Sequence, residues 1–333
     1  MKSIIGIGNA LTDVLAVLPD DQLLKQFHLP IGSMQLVDEE TSKKIWAVLK
    51  EMGVENVPGG CAANTISGTA IFGMPSAFIG KVGDDDIGRL FKTLQEQNGV
   101  KPKLLIGKAA SGRAMVLITP PNSERTFADY LGAALELVPE DLKKEDFVGY
   151  DYLHIEGYLV QNQDLVRRAV EIGKELGMTI SIDLASYNVV ESNNTFLHDI
   201  VSHYIDIVFA NETEAQAFTK MSPEESIHEI AQLCKIAVVK LGKQGSMIKS
   251  GNELYRFDAR DANTIDVTGA GDLYAAGFFY ALANDMPLNI CGEVASIISS
   301  KVVEVIGPKV DVPRWRVAKR EIKSLMRQYK ANI

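Results

Sequence analysis

The stretch Asp151-Tyr152-Leu153-His154-Ile155-Glu156, an amphipathic run over residues 163–176 stopped by Gly177, and then Thr179-Ile180-Ser181-Ile182-Asp183-Leu184 decide the fold. Two short apolar runs flank one helix-length segment. Apolar side chains on both faces suit strands covered by helices above and below. The alternation spreads outward in both directions. Further strands are expected at 3–8, 77–80, 207–210 and 236–241, and further helices at 62–72, 86–97, 211–220, 223–234, 270–284 and 288–305. Gly53 and Gly177 stand where glycine stops a helix by adopting a positive φ. This rhythm predicts a three-layer α/β/α domain built on a doubly wound sheet.

Two segments break the rhythm. Residues 14–37 and 110–130 alternate like strands without crossover helices, as in Arg113-Ala114-Met115-Val116-Leu117-Ile118-Thr119, which leads to a turn at Pro120-Pro121-Asn122-Ser123. They are expected to form a small antiparallel sheet projecting as a lid from a main domain of residues 1–13, 38–109 and 131–333. A hairpin decorating the sheet edge fits the pattern equally well. No repeat, low-complexity tract or long linker interrupts the chain.

Composition bounds the function. A net charge of −9 over 333 residues argues against a nucleic-acid partner, which needs a basic face, though not against one small anion. Cys61, Cys234 and Cys291 share no metal-ligand spacing and read as reduced, buried thiols. The first residues lack a small-x-small cleavage site, and no apolar run approaches the ~18–20 residues of a membrane span. A cytoplasmic protein without a membrane partner is expected.

The strongest chemical signal is Asp266-Val267-Thr268-Gly269-Ala270-Gly271-Asp272, followed by Leu273-Tyr274-Ala275-Ala276-Gly277. Small residues let the backbone turn tightly and approach a ligand. The helix that follows aims its unpaired N–H groups and the positive end of its dipole at the same spot. A carboxylate at Asp272, in the first turn, is placed to take a proton from an alcohol beside a bound phosphate. An isolated Gly-Ala-Gly-Asp is more often a plain turn with a favourable first-turn acid. Here it opens a helix of unusually small and apolar residues, which favours function.

With Gly59-Gly60-Cys61-Ala62-Ala63-Asn64, Gly73 and Lys81-Val82-Gly83-Asp84-Asp85 some 200 residues upstream, this motif resembles the two signatures of the ribokinase-like (PfkB-type) carbohydrate kinases. The resemblance runs over nearly the whole chain and implies the ribokinase-like fold, with its small β-sheet lid, and phosphoryl transfer from ATP with Mg2+. It implies Asp272 as general base, with the backbone of Gly269, Ala270 and Gly271 as anion hole. Gly59, Gly60 and Asn64 would bind acceptor hydroxyls, as would Asn9 and Asp13 in Gly8-Asn9-Ala10-Leu11-Thr12-Asp13, at the carboxyl end of the first strand. Asn211-Glu212-Thr213-Glu214 looks like the family's Asn-x-x-Glu motif, in which Asn211 lies by the nucleotide and Glu214 organises magnesium through water. The same residues also read as a helix N-cap and capping box. Lys240, Gly242 and Gly245 lie in a segment like the family's nucleotide loop, although the family carries Thr or a similar small residue where Lys240 stands. Thr268 would neighbour ATP, and Asp266 matches a position that holds a monovalent cation, K+, in some members.

The run Gly-Asn-Ala-Leu-Thr-Asp is similar to the adenosine-kinase branch, as are Arg125-Thr126, Leu131-Gly132-Ala133-Ala134 and His154-Ile155-Glu156-Gly157-Tyr158-Leu159. The resemblance therefore implies a small-molecule acceptor, adenosine through its ribose 5′-hydroxyl, or alternatively a free sugar such as fructose, ribose or 2-keto-3-deoxygluconate. Phe27, Phe127 and Tyr130 can supply an aromatic slot for a base, or simply the lid's own core. The ATP adenine is expected near residues 257–263 and 291–300. A lid sheet can pair with its copy in a homodimer or leave the chain monomeric. A non-catalytic relative of this fold is expected to lack the base or the adjacent glycines, and this chain has both.

Overall fold

The strand Ile4–Ile7 is buried at every position and lies within the main sheet, paired in parallel with Ser76–Gly83 on one side and Tyr152–Glu156 on the other. The structure, a computed structural model, describes residues 1–119 and 124–331, so the turn expected at Pro120–Ser123 lies outside the described residues. Among the described residues, nine strands form the main sheet. Their order is Glu253–Phe257, Ser246–Ser250, Ile236–Lys240, Ile207–Asn211, Thr179–Asp183, Tyr152–Glu156, Ile4–Ile7, Ser76–Gly83 and Val100–Gly107. Neighbours from Ile236–Lys240 to Val100–Gly107 pair in parallel, while at the other edge Ser246–Ser250 runs antiparallel to both Ile236–Lys240 and Glu253–Phe257.

Successive side chains point to opposite faces, and each face meets a layer of helices. Ile4, Phe78, Phe209 and Val238 pack against the helices Cys61–Ile71, Ala270–Leu282, Leu288–Val302 and Val312–Ala331. Ile5, Ile7, Leu153, Ile180 and Val208 pack against Gln163–Glu175, Asn194–His203, Glu212–Thr219 and Pro223–Leu233. Strand order reverses around Ile4–Ile7, with later strands added to either side, so the crevice beyond its carboxyl end is the ligand-binding point of such a sheet. The helices Cys61–Ile71 and Ala270–Leu282 lie unusually close. A Cβ on Gly68 would stand 2.6 Å from the Cβ of Ala276, so glycine there sets how near the two helices come.

The second sheet runs in the order Met34–Leu36, Glu124–Tyr130, Gly112–Thr119, Leu11–Val17, Glu55–Gly59. It differs from expectation in two ways. It is mixed rather than antiparallel: Leu11–Val17 lies parallel to Gly112–Thr119, and Met34–Leu36 parallel to Glu124–Tyr130. Gly112–Thr119 pairs antiparallel with Glu124–Tyr130 and Leu11–Val17 with Glu55–Gly59, while the two parallel pairs join strands separated by long connections, which permit parallel pairing. The sheet also recruits residues beyond 14–37. Glu55–Gly59 is its edge strand, where Pro58, lacking an N–H, is tolerated. The helix Glu39–Leu49, capped by Asp38 through the Thr41 amide at 2.7 Å, packs Ile45 and Leu49 on Val14, Met115, Leu117 and Ala128.

The two faces of this sheet differ in role. The outer face holds the small core just described, joined by Phe27, while the Tyr130 hydroxyl reaches Glu39 at 3.4 Å. Both rings therefore lie away from the crevice. Phe127 alone of the three expected aromatics is on the inner face, with Leu15, Val57, Val116 and Ile118.

Candidate active site

Gly269 adopts a left-handed conformation, φ 74°, and starts the helix Ala270–Leu282 with no side-chain cap. A Cβ on Gly269 would stand 2.7 Å from that of Pro308, so only glycine fits the turn. The Ala270 amide, expected in the anion hole, instead donates to the Val267 carbonyl at 3.1 Å and closes the turn. The amides that follow it, of Gly271 and Asp272, head the helix, where the dipole favours an anion.

Asp272 meets the Cys61–Ile71 helix here. Asn64 Nδ2 donates to Asp272 Oδ2 at 2.9 Å, and Thr65 Oγ1 donates to the Asp272 carbonyl at 3.1 Å. Two motifs 208 residues apart are thus fastened into one site. Burial pushes the Asp272 carboxyl up to about 7, with Asp183 and Glu156 adding to the rise while Asn64 and Lys240 oppose it. A base must be ionised to act, so kcat/KM is expected to climb with pH to a plateau above about 7, losing tenfold per unit below it. A pH–rate profile checks this, and a profile flat from pH 5 to 8 would contradict it.

The residues expected to bind an acceptor converge on the same crevice. Gly59 carries no side chain because Asp13's carboxylate occupies the space a Cβ would take, and Gly60, φ 90°, packs on the Asn9 carbonyl oxygen. Asp13 is 8% exposed, and its carboxyl is raised well above the usual range by burial first, then by Asp129, Asp272 and Glu156. Asn9 is committed elsewhere: its Nδ2 donates to Glu156 Oε1 at 2.7 Å and its amide to the same oxygen at 3.3 Å. Glu156 Oε2 accepts from the Ala62 amide at 3.1 Å. Glu156 thereby ties the first loop to the start of the Asn64 helix, a positioning role that sequence inspection did not assign.

Lys240 does not lie in an open nucleotide loop. Its Nζ is 2.7 Å from Asp183 Oδ2 and would be 2.9 Å from a Cβ on Gly271, directly beneath the cradle. Burial alone would lower this amine, but Asp183, Glu214 and Asp272 outweigh it and raise it, so it stays charged. Gly242 and Gly245 shape the turn that follows, with φ 52° and 90°; a Cβ on Gly245 would overlap the Phe257 carbonyl oxygen.

Asn211 and Glu214 form the expected capping box. The Asn211 amide donates to Glu214 Oε2 at 2.8 Å, its Nδ2 to Oε1 at 2.6 Å, and its Oδ1 accepts from the Glu214 amide at 2.9 Å. Glu214 is buried, which raises its carboxyl. Among the described residues no group of three or more His, Cys, Asp or Glu side chains could cage a metal.

Asp266, expected beside a monovalent cation, is paired with protein groups. Its Oδ1 accepts from the Thr268 amide and hydroxyl at 2.9 and 2.8 Å, its Oδ2 from the Gly307 amide at 2.5 Å, and Arg125 pairs with it. Burial would raise this carboxyl, but Arg125 and these donors hold it below the usual range. A guanidinium already supplies the positive charge that a monovalent ion would bring. Arg125 comes from the small sheet and also donates to Thr268 Oγ1 at 2.9 Å, joining that sheet to the turn before the cradle.

Cys61 and Cys234 are half-buried, Cys291 fully, and all three are free thiols. No helix among the described residues is long and apolar enough to cross a membrane.

Residues 31–315 match the family described as pfkB family carbohydrate kinase. The chain is 26% identical over 298 residues to a nucleoside kinase of Methanothermobacter thermautotrophicus, covering 88% of this chain and 93% of that one. Among solved structures it resembles an adenosine kinase from Sinorhizobium meliloti, at 30% identity and TM-score 0.84, covering 96% and 99% of the two chains. It also resembles a probable sugar kinase from Rhizobium etli, at 29% identity and TM-score 0.85, covering 96% and 98%.

Proposed function

We propose that this chain, which belongs to the pfkB family of carbohydrate kinases, transfers the γ-phosphoryl group of ATP to the 5′-hydroxyl of a purine nucleoside, adenosine first. The observation that carries the reaction is the Asn64–Asp272 hydrogen bond, which puts the acceptor helix and the base at one point beneath the head of the Ala270–Leu282 helix. Asp272 takes the proton of the acceptor hydroxyl as that oxygen attacks the γ-phosphorus. The bond to the β–γ bridging oxygen breaks and ADP leaves. Charge on the transferring group falls on the amides at the helix start, with Lys240 beneath them. Arg125 brings a second positive charge from the small sheet to the turn that carries Thr268.

Magnesium, when bound with ATP, neutralises phosphate charge, and Glu214 would face its water shell. Gly242, Gly245 and Thr268 would border the nucleotide. Closure of the small sheet over the acceptor, held by Arg125 and Asp266, would exclude water, which otherwise competes as acceptor.

A nucleoside acceptor is supported by the likeness to the Methanothermobacter and Sinorhizobium kinases and by the inner face of the small sheet. There Asp13 stands ready for a pair of ribose hydroxyls, beside a surface of Ala114, Val116 and Phe127 able to take a flat ring. The likeness to the Rhizobium probable sugar kinase supports the second reading, a free-sugar acceptor. A turnover panel of adenosine, guanosine, ribose, fructose and 2-keto-3-deoxygluconate with ATP and magnesium separates them. Adenosine is expected to exceed every free sugar in kcat/KM, and a sugar ahead by more than tenfold would overturn the nucleoside reading.

A further inference from the structure

One buried charge near the acceptor has no work in the chemistry above. Asp129 is 8% exposed, as buried as Asp13, and its Oδ1 has no hydrogen-bond partner. A buried carboxylate oxygen without a donor is costly, so its persistence calls for a ligand or a strain that some function repays. Register places it. Asp13 pairs with Ala114 and Ala114 with Asp129, so the three side chains form one row across the inner face of the small sheet. With neighbouring strands about 4.8 Å apart, the two carboxylates stem from Cα atoms roughly 10 Å apart, with only the methyl of Ala114 between them. After burial itself, Asp129 is the foremost charge raising the Asp13 carboxyl, so the two face one space. Val116 and Phe127 form the adjoining row, and Leu36, 71% exposed, marks the open edge beyond Asp129.

We infer that Asp129 reads the base of the acceptor, accepting a hydrogen bond from an amino group on a purine while Asp13 holds the ribose hydroxyls. The inference rests on the nucleoside reading. Two rings in tandem reach from one carboxylate to the other across Ala114; a single sugar ring held at Asp13 leaves Asp129 unsatisfied. Neither carboxylate can substitute for the other, because Asp13 sits beside Gly59 and Asp272, whereas Asp129 lies two strands further out. Asp129 is thus a specificity residue, separate from the base and the cradle.

The test compares wild type, Asp129→Ala and Asp129→Asn on two matched pairs: adenosine with purine riboside, and guanosine with inosine. Members of each pair differ by one amino group. Wild type is expected to prefer the amino-bearing member of one pair by about tenfold or more in kcat/KM. Asp129→Ala is expected to erase that preference through KM, with kcat nearly unchanged and the amine-free partner unaffected. Asp129→Asn, which keeps an oxygen acceptor, is expected to restore part of it. The thermal midpoint of each variant, measured alongside, shows whether it folds; a variant folded like wild type that loses kcat/KM equally on both members of each pair overturns the inference. If free sugars outrun all four nucleosides in wild type, the nucleoside reading fails and takes this inference with it. If nucleosides win but Asp129→Ala leaves their ranking intact, this inference alone is wrong.

Discussion

Asp272→Asn is expected to lower kcat by roughly 10²–10⁴-fold while ATP binding stays close to that of the unaltered protein. The substitution keeps the size of the side chain and an oxygen able to accept from Asn64 Nδ2, so the join between the two helices survives. What it removes is, among the described residues, the one carboxylate in the first turn of that helix, the group proposed to take the acceptor's proton. The variant should also lose the rise of kcat/KM toward pH 7. Its stability follows from the same shift. The buried Asp272 carboxyl titrates at about 7 in the folded chain and near 3.9 in the unfolded one, so the folded state binds the proton more tightly. Asp272 therefore subtracts from wild-type stability as pH rises from about 4 through 7, a loss that the Asn variant escapes while its other buried carboxyls still contribute theirs. At pH 8 the variant is expected to unfold at higher urea than wild type, with the gap closing toward pH 4. Steady-state kinetics, nucleotide titration and urea unfolding check the three parts, and near-normal kcat would remove Asp272 from its role.

Lys240→Met has the second largest expected effect, chiefly on stability. The Lys240–Asp183 pair is deeply buried, with side chains 15% and 8% exposed, and deleting one member leaves the other charge without compensation. Breaking such a pair costs about 3–5 kcal/mol. The loss should appear as a lower urea midpoint with unchanged m-value, and Asp183→Asn in the same chain should recover most of it. Activity should fall further than stability alone explains, because the cradle loses the cation beneath Gly271. A single variant within ~1 kcal/mol of wild type would mean that Asp183 finds another partner or neutralises without cost.

Much of this was legible in the chain before any coordinates. The strands expected at 151–156, 179–184 and 207–210 fall on Tyr152–Glu156, Thr179–Asp183 and Ile207–Asn211, because strands covered on both faces leave a continuous apolar trace. The helix expected at 86–97 is Asp86–Gln97, begun by the Asp85 cap. The small sheet was harder. Its strands come from five separate places, and pairing between Leu11–Val17 and Gly112–Thr119 leaves no mark in either segment alone. Phe27, Phe127 and Tyr130 read alike in sequence; strand register sends Phe127 inward and Tyr130 outward, and Phe27, at the end of the short helix Gln22–Gln26, joins the outer core.

The site shows the same divide. Asp272, Asn64, Asp13 and the glycines sit in dense local motifs, where each residue type has a visible reason. Glu156, Asp183 and Arg125 act through partners 94 to 147, 57 and 143 residues away, so single-segment reading finds only a strand-end acid and an isolated arginine. Asp266 shows the same limit from the other side: its motif resembles a cation position, and the guanidinium paired with it here comes from the other sheet.

The most direct test follows ADP and phosphorylated acceptor together, using purified protein with ATP, magnesium and adenosine at pH 8. One AMP formed for each ADP, with both products falling together in Asp272→Asn, is the expected result. ADP released without phosphorylated acceptor, or both products formed at an undiminished rate by Asp272→Asn, would contradict the assignment of proton and phosphoryl transfer to this cradle.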